Sequence, residues 1–134
     1  MSQFLQVLTG LRVLVVDDTA DDREFAIAVL SGSGIEVSAV ASAAEALEEL
    51  ERFRPDVLLI DIRMPGDDGY SLIRQIRALE AEQGGHLAAA AITAYLDWDR
   101  QQSLDAGFEA HLHKLAQPEA WIEMVRGLAQ HTSR

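Results

Sequence analysis

Apolar runs and amphipathic stretches alternate along this chain. Leu11-Arg12-Val13-Leu14-Val15-Val16 is a β-branched apolar run that stops at Asp17 and Asp18. Such density of Val and Leu marks a strand buried on both faces. A helical pattern follows from Thr19 or Ala20 to about Ser31, with Phe25, Ala26, Val29 and Leu30 on one face. Thr19 is the expected N-cap, and Asp21 and Asp22 suit the first turn. The run Ser31-Gly32-Ser33-Gly34 ends that helix. Ile35 to Val40 reads as a second strand, and Ser42 caps a helix reaching about Phe53, where Arg54-Pro55 breaks it. Val57-Leu58-Leu59-Ile60 is the third and most apolar strand, ending at Asp61. After a loop through Met64-Pro65-Gly66, a helix runs from Tyr70 to Glu82 with Leu72, Ile73, Ile76 and Leu79 inward, stopped by Gly84-Gly85. Leu87 to Thr93 is an alanine-rich fourth strand. Asp97 to Asp105 is a short polar helix ending at Gly107, Glu109 to His113 a fifth strand, and Pro118 starts a last helix through Leu128. Five βα units in strict alternation predict an α/β domain: a five-stranded parallel sheet with helices on both faces. The expected domain spans residues 11–130, between an extension at 1–10 (with apolar Phe4, Leu5, Val7 and Leu8) and a tail at 131–134.

The length of 134 residues suits one domain, and 49 % apolar residues can fill its core. Net charge is −11, from 22 acidic against 11 basic residues. That balance argues against direct contact with nucleic acid or an anionic membrane, and favours cations or a basic protein surface. Without cysteine, disulfides and thiolate metal sites are excluded. Met1 to Gly10 lacks the basic start and apolar stretch of a signal peptide, and no run has membrane-spanning length. A cytoplasmic location is the simplest expectation.

Five residues carry the chemistry: Asp17, Asp18, Asp61, Thr93 and Lys114. Each lies at or near the C-terminal end of a strand, the edge where parallel α/β sheets bind ligands. An aspartate pair at a strand end can be a helix cap with its loop. Its like charges repel, however, and a hard divalent ion relieves them. Asp61 can be a turn residue, or a carboxylate acting as metal ligand or as nucleophile toward phosphorus. Thr93 alone would read as a strand residue; within this set its hydroxyl can donate to a phosphoryl oxygen. Lys114 is the sole lysine among basic residues that are otherwise all arginine, and a compact ammonium suits a point contact to phosphate. Together the set suits Mg²⁺ and a phosphoryl group.

The stretches VLVVDD at 13–18, DVLLIDIRMPGDDGY at 56–70, AITAY at 91–95 and AGFEAHLHK at 106–114 resemble response-regulator receiver domains across about residues 10–130. The wording of 91–114 resembles receivers attached to hybrid histidine kinases. The resemblance implies a flavodoxin-like (βα)5 fold and a signalling phosphoacceptor, which assists its own phosphorylation and dephosphorylation. Asp61 matches the phosphoacceptor. Asp18 matches the direct Mg²⁺ ligand and Asp17 the one acting largely through water. The main-chain carbonyl of Arg63 matches a further ligand position. Thr93 matches the switch hydroxyl and Lys114 the lysine that pairs with the phosphoryl group. The implied donor is a histidine kinase or histidine phosphotransfer protein. The implied output is the face of the fourth helix, fifth strand and fifth helix, which could also pair two copies. No cofactor besides Mg²⁺ is implied, and neither nucleic acid nor membrane is a direct partner.

Two positions depart from the pattern. Leu115 stands where the family commonly has proline, and His111 where it has Tyr or Phe. His111 reads either as a tolerated surface imidazole or as a switch residue whose packing depends on pH. Trp98 reads as partly packed or as an aromatic anchor for a partner, and Trp121 as packing the last helix. His86 and His113 show no ligand spacing and read as structural. Asp67-Asp68 reads as a cap for the following helix. Arg63 and Tyr95, two beyond Asp61 and Thr93, are expected to tune water access. Three other classes compete. A haloacid-dehalogenase-type phosphohydrolase wants an Asp-x-Asp spacing absent here. A flavodoxin-like electron carrier wants a Ser/Thr/Gly phosphate loop where Asp17-Asp18 would repel phosphate. A docking-only receiver would lack phosphorylation.

Overall fold

The computed structural model describes residues 8–64, 68–94 and 100–133. Strands β1 (Arg12–Val16), β2 (Glu36–Val40), β3 (Val57–Asp61), β4 (Ala88–Thr93) and β5 (Ala110–His113) alternate with five helices. These are α1 (Ala20–Ser31), α2 (Ala43–Phe53), α3 (Gly69–Gln83), α4 (Arg100–Ala106) and α5 (Pro118–Ala129). All strand pairs are parallel, in the order β2-β1-β3-β4-β5. This is the flavodoxin-like (βα)5 order, and its switch point lies between β1 and β3.

Side-chain alternation sorts the core into two layers. Val13, Val15, Val57, Leu59, Ala88, Ala90 and Ile92 face α1 and α5, meeting Ala26, Leu30, Trp121 and Val125. Leu14, Val16, Leu58, Ile60, Ala89 and Ala91 face the other way, against α2, α3 and α4 through Ala46, Leu72, Ile73, Ile76 and Ala106. Because both faces are covered, the central strands have no polar side. The four alanines of β4, which make it look weak as a sequence, are all fully buried. Their small side chains let helices on both faces approach the sheet.

Most local expectations have a visible cause. Ser42 accepts the Glu45 N–H at 3.2 Å and starts α2, and Arg54 ends it in the left-handed region at φ 56°. Asp68 Oδ1 accepts the Ser71 N–H at 2.7 Å and starts α3. Thr19 departs from expectation. It sits at the N-cap of α1, but its side chain makes no capping bond; its main-chain N–H is donated to Asp17 Oδ1 at 3.0 Å. Phe25 and Leu79, expected inward, are 41 % and 39 % exposed. Phe25 stands edge-on to Trp121 with ring centroids 5.7 Å apart, and Trp121 itself is buried.

Both chain ends carry residues into the folded body. Leu8, set among the extension, is fully buried, and Gly10 donates to the Gly34 carbonyl at 3.1 Å. In the tail, Ser133 exchanges two main-chain hydrogen bonds of 2.7 Å with His86. Thr132 Oγ1 donates to the Asp56 carbonyl and accepts the Ala88 N–H. Phe4, Leu5 and Val7 lie outside the described residues. Among the described residues no helix is long and apolar enough to cross a membrane.

Candidate metal and phosphoryl site

Asp17 and Asp61 continue, by strand alternation, the series Val13-Val15 and Val57-Leu59 that faces α1 and α5. Both carboxylates are therefore held at the carboxyl edge of the sheet on the α1 side, and both are almost fully buried. Asp17 N–H is tied to the Val40 carbonyl at 3.0 Å, so β2 fixes the end of β1. Arg23, one turn into α1, donates to the Asp17 carbonyl at 2.8 Å. Ile62 N–H bonds the Ile92 carbonyl, which holds the chain after Asp61 against β4. Gly69 lets α3 begin directly beneath this turn. A Cβ there would lie 2.7 Å from both the Asp61 carbonyl oxygen and Ile62 Cα, closer than side chains approach.

Lys114 follows β5 and reaches into the same crevice, its main-chain N–H on the Thr93 carbonyl at 2.8 Å. Its Nζ lies 2.9 Å from Asp17 Oδ2, 3.2 Å from Asp61 Oδ2 and 2.7 Å from Asp22 Oδ2. Asp61 Oδ1 accepts the Arg63 N–H at 3.0 Å. Burial pushes the Asp61 carboxyl above its ordinary value. The Arg63 N–H and the Lys114 charge oppose that push, and the Asp17 charge adds to it. Burial alone would depress the Lys114 ammonium. Hydrogen bonds to Asp22 and Asp17 and the Asp61 charge outweigh it, so the lysine is held firmly charged.

Asp17, Asp18 and Asp61 each offer a carboxylate oxygen within 4.8 Å of the others. Two of the three are buried, an expensive arrangement for anions unless a cation is near. Oxygen-only donors of full negative charge fit a hard divalent ion such as Mg²⁺. Thr93 closes β4 and is buried beside this edge.

The convergence of Asp17, Asp18, Asp61 and Lys114 follows the sequence expectation. Asp22 does not. It reads in the sequence as a helix-end residue, yet it makes the shortest contact to Lys114. The available signal was strand parity, which turns Asp17 and Asp61 toward α1. The Leu115 departure also has a local answer. Unlike proline, Leu115 has an N–H to satisfy, and His113 Nδ1 accepts it at 3.0 Å. Leu115 is itself 84 % exposed. His111 is exposed on β5, paired in register with Ala91. His86 Nε2 lies 2.8 Å from Glu109 Oε2, a structural contact. Pro65, Gly66, Asp67, Tyr95, Asp97 and Trp98 lie outside the described residues.

A parallel sheet whose carboxyl edge gathers three aspartates and one lysine defines a class, and comparison with known proteins gives the class its name. The chain belongs to the response regulator receiver domain family, whose model matches residues 13–126. It is 39 % identical over 123 residues to an uncharacterised 14.6 kDa protein from the sodA1 3′ region of Leptolyngbya boryana, covering 91 % of this chain and 92 % of that one. It is 35 % identical over 123 residues to response regulator MprA of Mycobacterium leprae, covering 91 % of this chain and 52 % of MprA. The chain thus spans about half the length of that regulator. A crystal structure of a putative response regulator from Chloroflexus aurantiacus superposes with a TM-score of 0.82 at 30 % identity, covering 91 % of this chain and 99 % of that one. The receiver domain of a sensor histidine kinase from Pseudomonas aeruginosa, solved with magnesium in its active-site cleft, superposes at 0.79 with 32 % identity over 91 % of this chain and 99 % of its own. Receiver domains are the signalling phosphoacceptors of two-component systems.

Proposed function

We propose that Asp61 accepts a phosphoryl group from a phosphohistidine of a histidine kinase or phosphotransfer protein, with Mg²⁺ required. The observation that carries this reading is the pairing of one buried carboxylate, Asp61, with the sole lysine of the chain at 3.2 Å, beside Asp17 and Asp18. An Asp61 carboxylate oxygen attacks phosphorus. An O–P bond forms, the N–P bond breaks, and the imidazole nitrogen leaves with the electron pair. Asp17, Asp18, Asp61 and the Arg63 carbonyl would hold the ion, which when bound neutralises phosphoryl oxygens. Lys114 supplies the fixed positive charge. Reversal is hydrolytic: water attacks phosphorus, and the Asp61 carboxylate departs with the O–P bonding pair. Arg63 and Tyr95 tune the access of that water.

Phosphorylation adds roughly −1.5 to −2 charge and three acceptor oxygens at the sheet edge. Thr93 and Lys114 follow those oxygens and bias the neighbouring face of α4, β5 and α5, with His111 changing burial as it switches. That face is the output surface, and it could pair two copies. The work is cytoplasmic and needs no direct contact with nucleic acid or membrane. The wording of 91–114 points to a receiver of the hybrid-kinase type.

The test is intact mass after incubation with acetyl phosphate and Mg²⁺, beside Asp61→Asn and an EDTA control. The expected result is gain of one phosphoryl group by the wild type with Mg²⁺ alone. No gain, repeated with a phosphohistidine donor, would overturn the reading in favour of a docking-only receiver.

A further inference from the structure

Lys114 has three N–H donors and meets three carboxylates, at Asp17, Asp22 and Asp61. A phosphoryl group on Asp61 brings three acceptor oxygens and added charge to an ammonium whose donors are already engaged, so it competes with the carboxylates that Lys114 meets at rest. The three partners are not equivalent. The side chains of Asp17 and Asp61 are 3 % and 4 % exposed, so a contact they give up there is replaced only by the ion or phosphoryl group held at the same edge, not by bulk water. The Asp22 side chain is 40 % exposed and can be rehydrated. The contact to Asp22 is also the shortest of the three and comes from a helix rather than a strand end.

We propose that Asp22 is a positioning residue that competes with the phosphoryl group for Lys114, so that charging Asp61 exchanges the Asp22–Lys114 bond for a Lys114–phosphoryl bond. The proposal rests on the phosphoacceptor reading of Asp61. It makes the resting state of this receiver more costly to leave than the aspartate trio and lysine alone would. Asp22 serves as a latch on the lysine, opened by a better acceptor.

A merely structural Asp22 would act through helix-end charge, and that alternative has a built-in control. Asp21 is exposed in the same first turn of α1 and shares any effect on the helix dipole or net charge. The sole lysine provides the readout, because ¹⁵N-lysine labelling yields a single Nζ signal. The signal is recorded at constant pH for wild type, Asp22→Asn, Asp22→Glu and Asp21→Asn. Each is then titrated with beryllofluoride, a phosphoryl stand-in, at saturating Mg²⁺. The expected result has two parts. In the resting state Asp22→Asn shifts the Lys114 signal and Asp21→Asn does not. In the titration Asp22→Asn lowers the half-saturating beryllofluoride concentration about five-fold, the size of a partly exposed ion pair, while Asp22→Glu returns toward wild type. Equal effects of Asp22→Asn and Asp21→Asn would overturn the proposal in favour of bulk charge. An unmoved Lys114 signal in Asp22→Asn would overturn it outright. A wild type that ignores beryllofluoride would remove the phosphoacceptor reading, and the competition with it. A responding wild type matched by Asp22→Asn would remove the competition alone.

Discussion

Two polar clusters occupy opposite ends of the same sheet and are built on opposite electrostatic plans. At the carboxyl edge, Lys114 faces Asp17, Asp22 and Asp61, with Asp18 alongside. At the amino edge, Arg77 of α3 is the hub. Its Nη1 donates to Glu80 Oε1, Glu80 Oε2 and the Leu87 carbonyl at 2.9, 3.0 and 2.7 Å. Its Nε and Nη2 fork onto the Gly107 carbonyl at 3.0 and 2.9 Å, and Nη2 also reaches Glu109 Oε1 at 2.6 Å. Further demand from the two glutamates is met by the Leu87 and Ala89 N–H groups and by His86. The amino-edge cluster is closed: donors and acceptors match, and it braces α3 to the starts of β4 and β5. The carboxyl-edge cluster is open: carboxylates outnumber the cation two to one around Arg77 but three to one around Lys114, with Asp18 adding a fourth. Burial and charge are common to both clusters. What distinguishes the site is the imbalance, which an arriving cation and phosphoryl group can resolve.

The largest break in this comparison comes from Arg77→Met. It removes the hub while keeping much of the side-chain bulk, and leaves Glu80 and Glu109 partly buried without their cation. Loss of one partner from such a network is expected to cost about 2–3 kcal/mol, read as a lower urea midpoint. Phosphoryl acceptance from acetyl phosphate by the folded fraction should be unchanged. A variant that keeps its stability, or folds well but loses acceptance, would show that the two clusters do not divide the labour this way.

Asp61→Asn should have the opposite sign. The amide oxygen can still accept the Arg63 N–H, and Lys114 keeps Asp17 and Asp22. Repulsion from Asp17 and the burial of an anion are both relieved. Acceptance is lost entirely, while stability at neutral pH rises by on the order of 1 kcal/mol. The pH dependence follows from the raised Asp61 carboxyl. A folded-state value above the unfolded one means the folded protein binds the proton more tightly. Its contribution to stability is full below the unfolded value and is lost as pH rises through the folded one. Denaturation of wild type and variant across that range should therefore converge at acid pH and separate toward neutrality. A variant less stable than wild type at neutral pH would mean that the carboxyl edge is as closed as the amino edge.

How much of this was legible in the chain follows the same division. Strand ends are written in runs such as Val57 to Ile60 followed by Asp61, so the meeting of Asp17, Asp18, Asp61 and Lys114 follows from topology alone. Asp22 is not at a strand end. It arrives through the pitch of α1, and a first-turn aspartate has a sufficient explanation in the helix dipole. The amino-edge brace was harder still. Arg77, Glu80, His86 and Glu109 come from α3 and two different loops, and no short pattern joins them. Thr19 shows the converse: a residue type suited to capping sits at the N-cap without its side chain making a capping bond, while its main-chain N–H is held by Asp17. Leu8 is buried in the fold and Thr132 is tied to Asp56 and Ala88, though neither belongs to a periodic run. Single buried residues at chain ends carry no periodicity to read.

A third cluster separates charge balance from burial. Glu49 of α2 bonds Arg52 of the same helix and Ser38 of β2, and Arg52 is largely exposed. The Arg52 bond, then the Ser38 hydroxyl, hold the Glu49 carboxyl at about 2, against some desolvation. Here one carboxylate faces one guanidinium, and the exposed Arg52 leaves the pair screened by water. A depressed folded value means the contribution is present above the ordinary glutamate value and is lost as pH falls toward about 2. Glu49→Gln should accordingly lower the urea midpoint only slightly near neutral pH, with wild type and variant converging as the pH falls into the acid range. A cost near neutrality as large as that of Arg77→Met would mean that matched charge alone stabilises this fold. A small cost near neutrality that vanishes in acid leaves burial as what turns the amino-edge cluster into a brace, and the larger excess of carboxylates as what turns the carboxyl-edge cluster into a site.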